Sequence, residues 1–254
     1  MSASEEPRAA VSTTPAMDSR RFSLISHGAM RFWNPLPAEA LVQLLHELPL
    51  SSGADVLDYG CGIGEVCLEL FTRHAARITG VDPNPDAIAR CRSLLSGQFF
   101  AEPFRAQRFA PASFDLVVNI GASPGMARLL DEVTPLLRGS GRLLVGDLYW
   151  RGPPSPTLLA FLGAPDAPSL DDQRRALHDG GFVIETTLLA SALDWDRYED
   201  QYDANMLAYL AAHPDDPSAG QFEARRRAWR AMYRDHGRGT IGFALHLARR
   251  DERG

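Results

Sequence analysis

The sequence predicts an α/β domain built on a mostly parallel sheet with helices on both faces. Three observations carry this. Between residues 54 and 148 short apolar runs alternate with amphipathic stretches, the pattern of consecutive βαβ units. The runs are near-continuous rather than alternating, as in strands buried on both faces. One of them ends in VLDYGCGIG, residues 56–64, where Asp58 precedes glycines at 60, 62 and 64 and Val66, Leu68, Leu70 and Phe71 resume the apolar pattern. That stretch reads as strand, tight turn, helix.

Taken in order, residues 1–20 are rich in Ser, Ala, Glu, Pro and Thr without periodicity and read as a disordered tail. Residues 21–254 then form one domain. In RFSLISHGAMRFWNP, residues 21–35, Phe22, Leu24, Ile25, Met30, Phe32 and Trp33 are interleaved with His27, Arg31 and Asn34. Such a segment buries its apolar groups, either as a packing strap or across the mouth of a site. Pro37 opens a helix striped by Leu41, Leu44, Leu45 and Leu48, and Pro49 ends it. Strand 54–59 leads through the glycine turn to helix 63–74. Strand 76–82 ends in Asp82 and is followed by Pro83, Asn84, Pro85 and helix 85–95. A weak strand lies near 98–101, then strand 114–119 and helix 125–137. RGSG, residues 138–141, reads as a turn into strand 142–148. A Pro-rich loop spans 150–168, followed by helix 170–179, strand 182–189, helices 195–212 and 218–235, and a last strand 240–248. Residues 195–235 thus form a helical insertion, placed to lid the carboxyl ends of the strands.

Composition narrows the function. Hydrophobic residues make up 45% and charged residues 23% of the 254, enough for a sizeable core. The net charge of −6 gives an acidic surface, which repels phosphate backbones, so no nucleic-acid partner is expected. All 26 basic residues are Arg, which excludes a Lys Schiff base and a Walker-type phosphate Lys. Cys61, Cys67 and Cys91 lack the spacing of a zinc site, so no metal is expected. Their odd number and the lack of a signal peptide fit a cytoplasmic location. No apolar run reaches about 18 residues, so no membrane span is expected. A monomer or homodimer is equally compatible with the sequence.

The chemistry collects at the carboxyl ends of the strands, where open α/β sheets bind ligands. Gly60, Gly62 and Gly64, with Cys61 between them, allow close approach of a ligand to the backbone. The pattern is not the dinucleotide fingerprint, because Glu65 stands where its third glycine falls. Asp58 beside the turn repels a pyrophosphate but receives an α-ammonium, which favours S-adenosylmethionine over a nicotinamide dinucleotide. Asp82, one strand later, can accept two hydrogen bonds from ribose hydroxyls, with Pro83 beside it. Asp86 has the alternative role of a helix-start acid. Asn119 closes strand 114–119, ahead of Ile120-Gly121-Ala122-Ser123, and serves either the ligand or the loop. GDLYWR, residues 146–151, offers Asp147, Tyr149 and Trp150 to an acceptor pocket. LDWDRYED, residues 193–200, offers Trp195, Arg197 and Tyr198, or a capping Asp194 with Trp195 packed inside the insertion. Trp33 is a further pocket candidate, and His27 is the candidate general base.

As a set, VLDYGCGIG, GVDPNP, FDLVVNIGAS and LLRGSGRLLVGDLYWR resemble the motifs of class I S-adenosylmethionine-dependent methyltransferases. Over nearly the whole chain, HGAMRFWNPL, GDLYWRGPPSP, LDWDRYED, HPDDP and TIGFALHLARR resemble a group of small bacterial methyltransferase-like proteins. The resemblance implies a Rossmann-like seven-stranded sheet with its last strand antiparallel, Asp58 and the glycines near the methionine part, and Asp82 on the ribose. In many relatives an acid before the fourth strand holds the adenine; here Glu102 is the nearest. Pro124 stands where the narrower group has a His, so no role of that His transfers. The expected activity is methyl transfer from S-adenosylmethionine to a small molecule by in-line displacement, achieved mainly by proximity and orientation. A non-catalytic sensor of the same cofactor is the alternative.

Overall fold

The computed structural model describes residues 18–105, 108–122, 124–162 and 168–251. Seven strands form one sheet: β1 (Asp55–Tyr59), β2 (Arg77–Asp82), β3 (Gln98–Ala101), β4 (Phe114–Ile120), β5 (Leu137–Trp150), β6 (Phe182–Leu189) and β7 (Ile241–Arg250). Their spatial order is β3-β2-β1-β4-β5-β7-β6. β7 runs antiparallel to both β5 and β6, and the other pairings are parallel. The expected Rossmann-like sheet with an antiparallel last strand is therefore present. The order reverses between β1 and β4, so the carboxyl ends of these two strands open a crevice.

Side chains of each strand alternate between two cores, as the pleat requires. Val56, Leu116, Val118 and Leu144 face one side, with Leu41 and Leu45 of α2 (Ala38–Glu47), Cys67 and Leu70 of α3 (Glu65–His74), and Ile88 and Cys91 of α4 (Pro85–Leu94). Leu57, Val117, Leu143 and Val145 face the other, with Leu129, Leu130 and Val133 of α5 (Met126–Val133) and Leu177 of α7 (Leu170–Asp179). Both faces are dry, which is why these strands read as unbroken apolar runs.

A third cluster lies above the crevice. α1 (Ser19–His27) packs on α8 (Ala192–Ala212), which packs on α9 (Ala219–Met232). Phe22, Met206 and Phe222 form its buried centre. The Arg21 guanidinium bridges Asp216 and the Tyr209 hydroxyl, tying α1 to the turn between α8 and α9. α8 starts at a capping box in which Ser191 and Asp194 bond each other's backbone N–H groups.

Several sequence expectations need correction. The tail expected over 1–20 falls outside the described residues up to 17; beyond that, Asp18 caps α1 by accepting from the Arg21 N–H at 3.0 Å. Within residues 21–35, to which the sequence reading assigns no secondary structure, the first half is helix α1, because Asp18 nucleates it and Gly28 ends it. RGSG is not a turn but part of β5, with an irregular register between Phe114 and Leu116 of the neighbouring strand. Helix 125–137 ends early, at Val133, in a 3₁₀ turn over Thr134–Leu136 that contains Pro135. The Pro-rich stretch holds a short helix, α6 (Pro156–Leu162), for which Pro156 is suited as a first-turn residue. α8 begins three residues earlier than expected, at the Ser191 cap.

Candidate functional site

One cavity of about 430 Å³ occupies the crevice between the sheet and the α1–α8–α9 layer. Its floor is the turn after β1. Gly60, Gly62 and Gly64 all take positive φ, +85°, +50° and +84°, a region open to glycine at little cost. The turn is pinned from below: the Gly60 and Cys61 N–H groups donate to the Val81 carbonyl at 2.8 and 3.2 Å. A Cβ on Gly64 would stand 2.8 Å from the Cys91 sulfur, so the helix seats directly on α4. This close seating leaves no room for a side chain at position 64.

Asp82, at the end of β2, reaches back to the turn. Its Oδ2 accepts from the Gly62 N–H at 3.0 Å and its Oδ1 from the Asn84 N–H at 2.8 Å. Burial pushes this carboxyl up, and the two backbone bonds oppose the shift. Asp58 lies deeper, 3% exposed, and still lines the cavity. Its Oδ2 accepts the Cys67 thiol at 3.2 Å. Burial pushes the Asp58 carboxyl up to about 7, the thiol bond opposes this, and the neighbouring Asp82 charge adds to it.

The roof carries aromatic rings. His27, at the end of α1, stacks on Trp33 with centroids 4.6 Å apart and meets Tyr202 edge-on at 5.1 Å. Its Nδ1 lies 2.8 Å from the Ser23 carbonyl, which only accepts, so Nδ1 carries the proton. Burial holds the ring neutral by lowering its pKa to about 4, so Nε2 accepts from the Tyr198 hydroxyl at 2.7 Å. Glu199 also lines the cavity and is 1% exposed. Its Oε2 accepts from the Trp229 indole at 2.6 Å, and its Oε1 has no hydrogen-bond partner among the described residues.

Charge in the lining is one-sided. Among the described lining residues, the acids Asp58, Glu65, Asp82, Asp147 and Glu199 outnumber the one cation, Arg31, which is itself paired with Glu65 and Glu69. Such a wall suits a cationic ligand and repels a pyrophosphate.

Comparison with known proteins agrees with this geometry. A family model described as a methyltransferase domain matches residues 56–141. The YjhP protein of Escherichia coli K12 is 26% identical over 242 residues, covering 90% of this chain and 98% of its own. An O-methyltransferase of Aspergillus nomiae, rstn1, is 34% identical over 152 residues, covering 53% of this chain and 67% of its own. An S-adenosylmethionine-dependent methyltransferase from Geobacter sulfurreducens, solved with S-adenosylhomocysteine, superposes with a TM-score of 0.80 at 25% identity, covering 90% of this chain and 97% of that one. The chain belongs to the S-adenosylmethionine-dependent methyltransferases. Its cofactor is S-adenosylmethionine.

The methyltransferase gathers most, but not all, of the residues singled out from sequence. Asp58, Gly60, Cys61, Gly62, Asp82, His27, Trp33, Asp147, Trp195 and Tyr198 line the one cavity. Gly64 lies behind it, as the N-cap of α3. Pro83 is exposed, in a shallow hollow beside Asp82. Asn119 is fully buried; its Nδ2 donates to the Tyr59 carbonyl at 2.8 Å, bracing the end of β1 rather than facing the cavity. Glu102 is bonded to Arg108 at 2.5 Å, away from the cavity lining. Tyr149 is covered by β7, its ring lying over Gly242, and Trp150 packs beside the sheet core. Arg197 points outward from α8, bound 3.6 Å from Asp194, because it falls on the face opposite Trp195 and Glu199. Ser123 lies outside the described residues.

Sequence reading passed over Glu199, Tyr202 and Trp229. Their signal is nonetheless present: Trp195, Tyr198, Glu199, Tyr202 and Met206 share one helical face, and an acid on an otherwise apolar stripe marks a buried carboxylate.

Proposed function

We propose that this methyltransferase methylates a small molecule held between the glycine turn and α8–α9. The observation that supports this is the single cavity bounded by Asp58, Gly60 and Asp82 at one end and by Trp195, Tyr198 and Glu199 at the other. Its volume lies toward the lower end of the range for ligand sites, about 300–1,000 Å³, which favours a small acceptor over a polymer. When bound, S-adenosylmethionine supplies an electrophilic methyl carbon on a sulfonium. The protein then has two tasks, to hold the reactants in line and to keep water out.

The residues divide these tasks. Asp82, already oriented by two backbone amides, accepts the ribose hydroxyls. Asp58 receives the α-ammonium. The glycines let the ligand approach the backbone, and Asn119 holds the end of β1 in place. α1, α8 and α9 form the lid. His27 is a positioning residue for Tyr198, since its Nδ1–H is committed to Ser23 and its Nε2 to the Tyr198 hydroxyl. The direct test is consumption of labelled methyl donor over a panel of amines, phenols, thiols and carboxylic acids. Turnover on one class is expected; tight S-adenosylhomocysteine binding with no turnover on any would make the chain a sensor.

The Asp58 assignment has a pH signature. An acid raised to about 7 by burial is largely protonated at pH 6, and only its anion pairs with an ammonium. Binding must therefore expel a proton below pH 7. S-adenosylhomocysteine affinity should fall from pH 8 to pH 6, by up to about tenfold per unit below the Asp58 midpoint. Asp82, also raised by burial, acts in the same direction. Calorimetry in buffers of different ionisation enthalpy reads the proton release, and Asp58→Asn should flatten the profile. A flat wild-type profile would remove Asp58 from the ammonium site.

A further inference from the structure

Glu199 is a cavity carboxylate that takes no part in the proposed donor site. It sits on α8 at 1% exposure, and burial pushes it up to about 7 against the opposing Trp229 hydrogen bond and the Arg230 charge. Arg230 does not neutralise it directly; its guanidinium is bonded to Asp200. Among the described residues Glu199 Oε1 has no hydrogen-bond partner, and neither have the buried indole N–H groups of Trp33 and Trp195, whose side chains also border the cavity. A buried carboxylate with an idle oxygen costs stability unless something completes it. Around it stand the rings of Trp195, Tyr198, Tyr202 and Trp229, with Trp195 and Tyr198 at 5.8 Å edge-on and Tyr198 and Tyr202 at 6.2 Å. Aromatic faces with a carboxylate among them recognise a cation.

Resting on the methyltransferase reading, we propose that this end of the cavity is an amine site: Glu199 anchors a protonated amine among the rings of α8 and α9, and the amine nitrogen is the methyl acceptor. The ammonium N–H donates to Glu199 Oε1 and its proton passes to that oxygen. The freed lone pair forms the N–C bond to the donor methyl as the C–S bond breaks, with that electron pair remaining on sulfur. A carboxylate acceptor would instead place an anion beside Glu199 in a wall already rich in acids. Trp229 holds Glu199 in this orientation through the 2.6 Å bond to Oε2.

The test is binding to protein saturated with S-adenosylhomocysteine, so that no turnover intervenes. Four probes are used: N,N-dimethylbenzylamine, neutral N,N-dimethylbenzamide, benzyl alcohol and anionic phenylacetate. The amine should bind at least about tenfold more tightly than the other three, the margin expected for a hydrogen bond to a charged group. Glu199→Gln keeps the shape and the acceptor for Trp229; it should erase that preference while leaving S-adenosylhomocysteine affinity within about twofold. Equal amine binding by Glu199→Gln, or benzamide, alcohol or phenylacetate matching the amine on wild type, would overturn the amine site and leave the methyltransferase reading standing. Failure of S-adenosylhomocysteine to bind wild type would overturn both. If Glu199→Gln does not fold, the four probes on wild type decide alone.

Discussion

Asp82→Ala should lower affinity for S-adenosylhomocysteine at least about 100-fold while the protein stays folded. Each hydrogen bond to a charged group contributes about 1.5–3 kcal/mol, so two to the ribose amount to about 3–6 kcal/mol, and about 1.4 kcal/mol is a factor of ten. The side chain also fixes the turn, because its Oδ2 holds the Gly62 N–H at 3.0 Å. The fold should survive because burial already disfavours this carboxylate, so removing it relieves a cost as well as deleting bonds. Asp82→Asn, which keeps one acceptor, should fall between. Calorimetry gives the affinity and thermal unfolding the stability; unchanged affinity in the alanine variant would take Asp82 out of the site.

Gly60→Ala should damage both stability and binding. The residue sits at φ +85°, and an added Cβ would lie 2.2 Å from the Ala122 Cβ. The left-handed conformation costs an L-residue about 1–2 kcal/mol and the overlap about 1–3 kcal/mol more, so a loss of about 2–5 kcal/mol is expected. The relief of that overlap must move the loop after β4, whose Gly121 and Ala122 line the cavity. S-adenosylhomocysteine affinity should therefore fall as well. Gly220→Ala is the control: it lies exposed in α9 with nothing among the described residues within 4 Å of its added Cβ, and should be neutral or raise stability by about 0.5–1 kcal/mol. Denaturant unfolding of the two variants side by side checks the contrast; equal stabilities would show that the turn tolerates a side chain.

Much of the cavity floor was legible because its signals are local. A strand, a tight turn and a helix occupy contiguous residues, and only glycine accepts φ near +85° there, so VLDYGCGIG carries its own geometry. Asp82 was legible for the same reason, standing where a strand ends. Local signals failed where packing chose among options. Tyr149 and Trp150 share a strand end with Asp147, yet Tyr149 is sealed by Gly242 of β7, a residue almost 100 positions away. Arg197 lies within the same turn of α8 as Trp195 and Tyr198, but helix periodicity turns it outward. Asn119 read as a site residue because of its position; long-range pairing made it a brace for Tyr59.

By itself, then, the sequence determined the layered sheet, its glycine turn and the two acids, Asp58 and Asp82, that border the cavity. Those follow from periodicity, backbone conformation and charge within a few residues. Only the tertiary structure decided that His27 is neutral and committed to Tyr198, and that Glu199 is buried with an idle oxygen against Trp229. Both depend on which helices meet above the crevice. Burial, which sets a side chain's charge and leaves its polar atoms paired or unpaired, is a property of that meeting and not of any one segment.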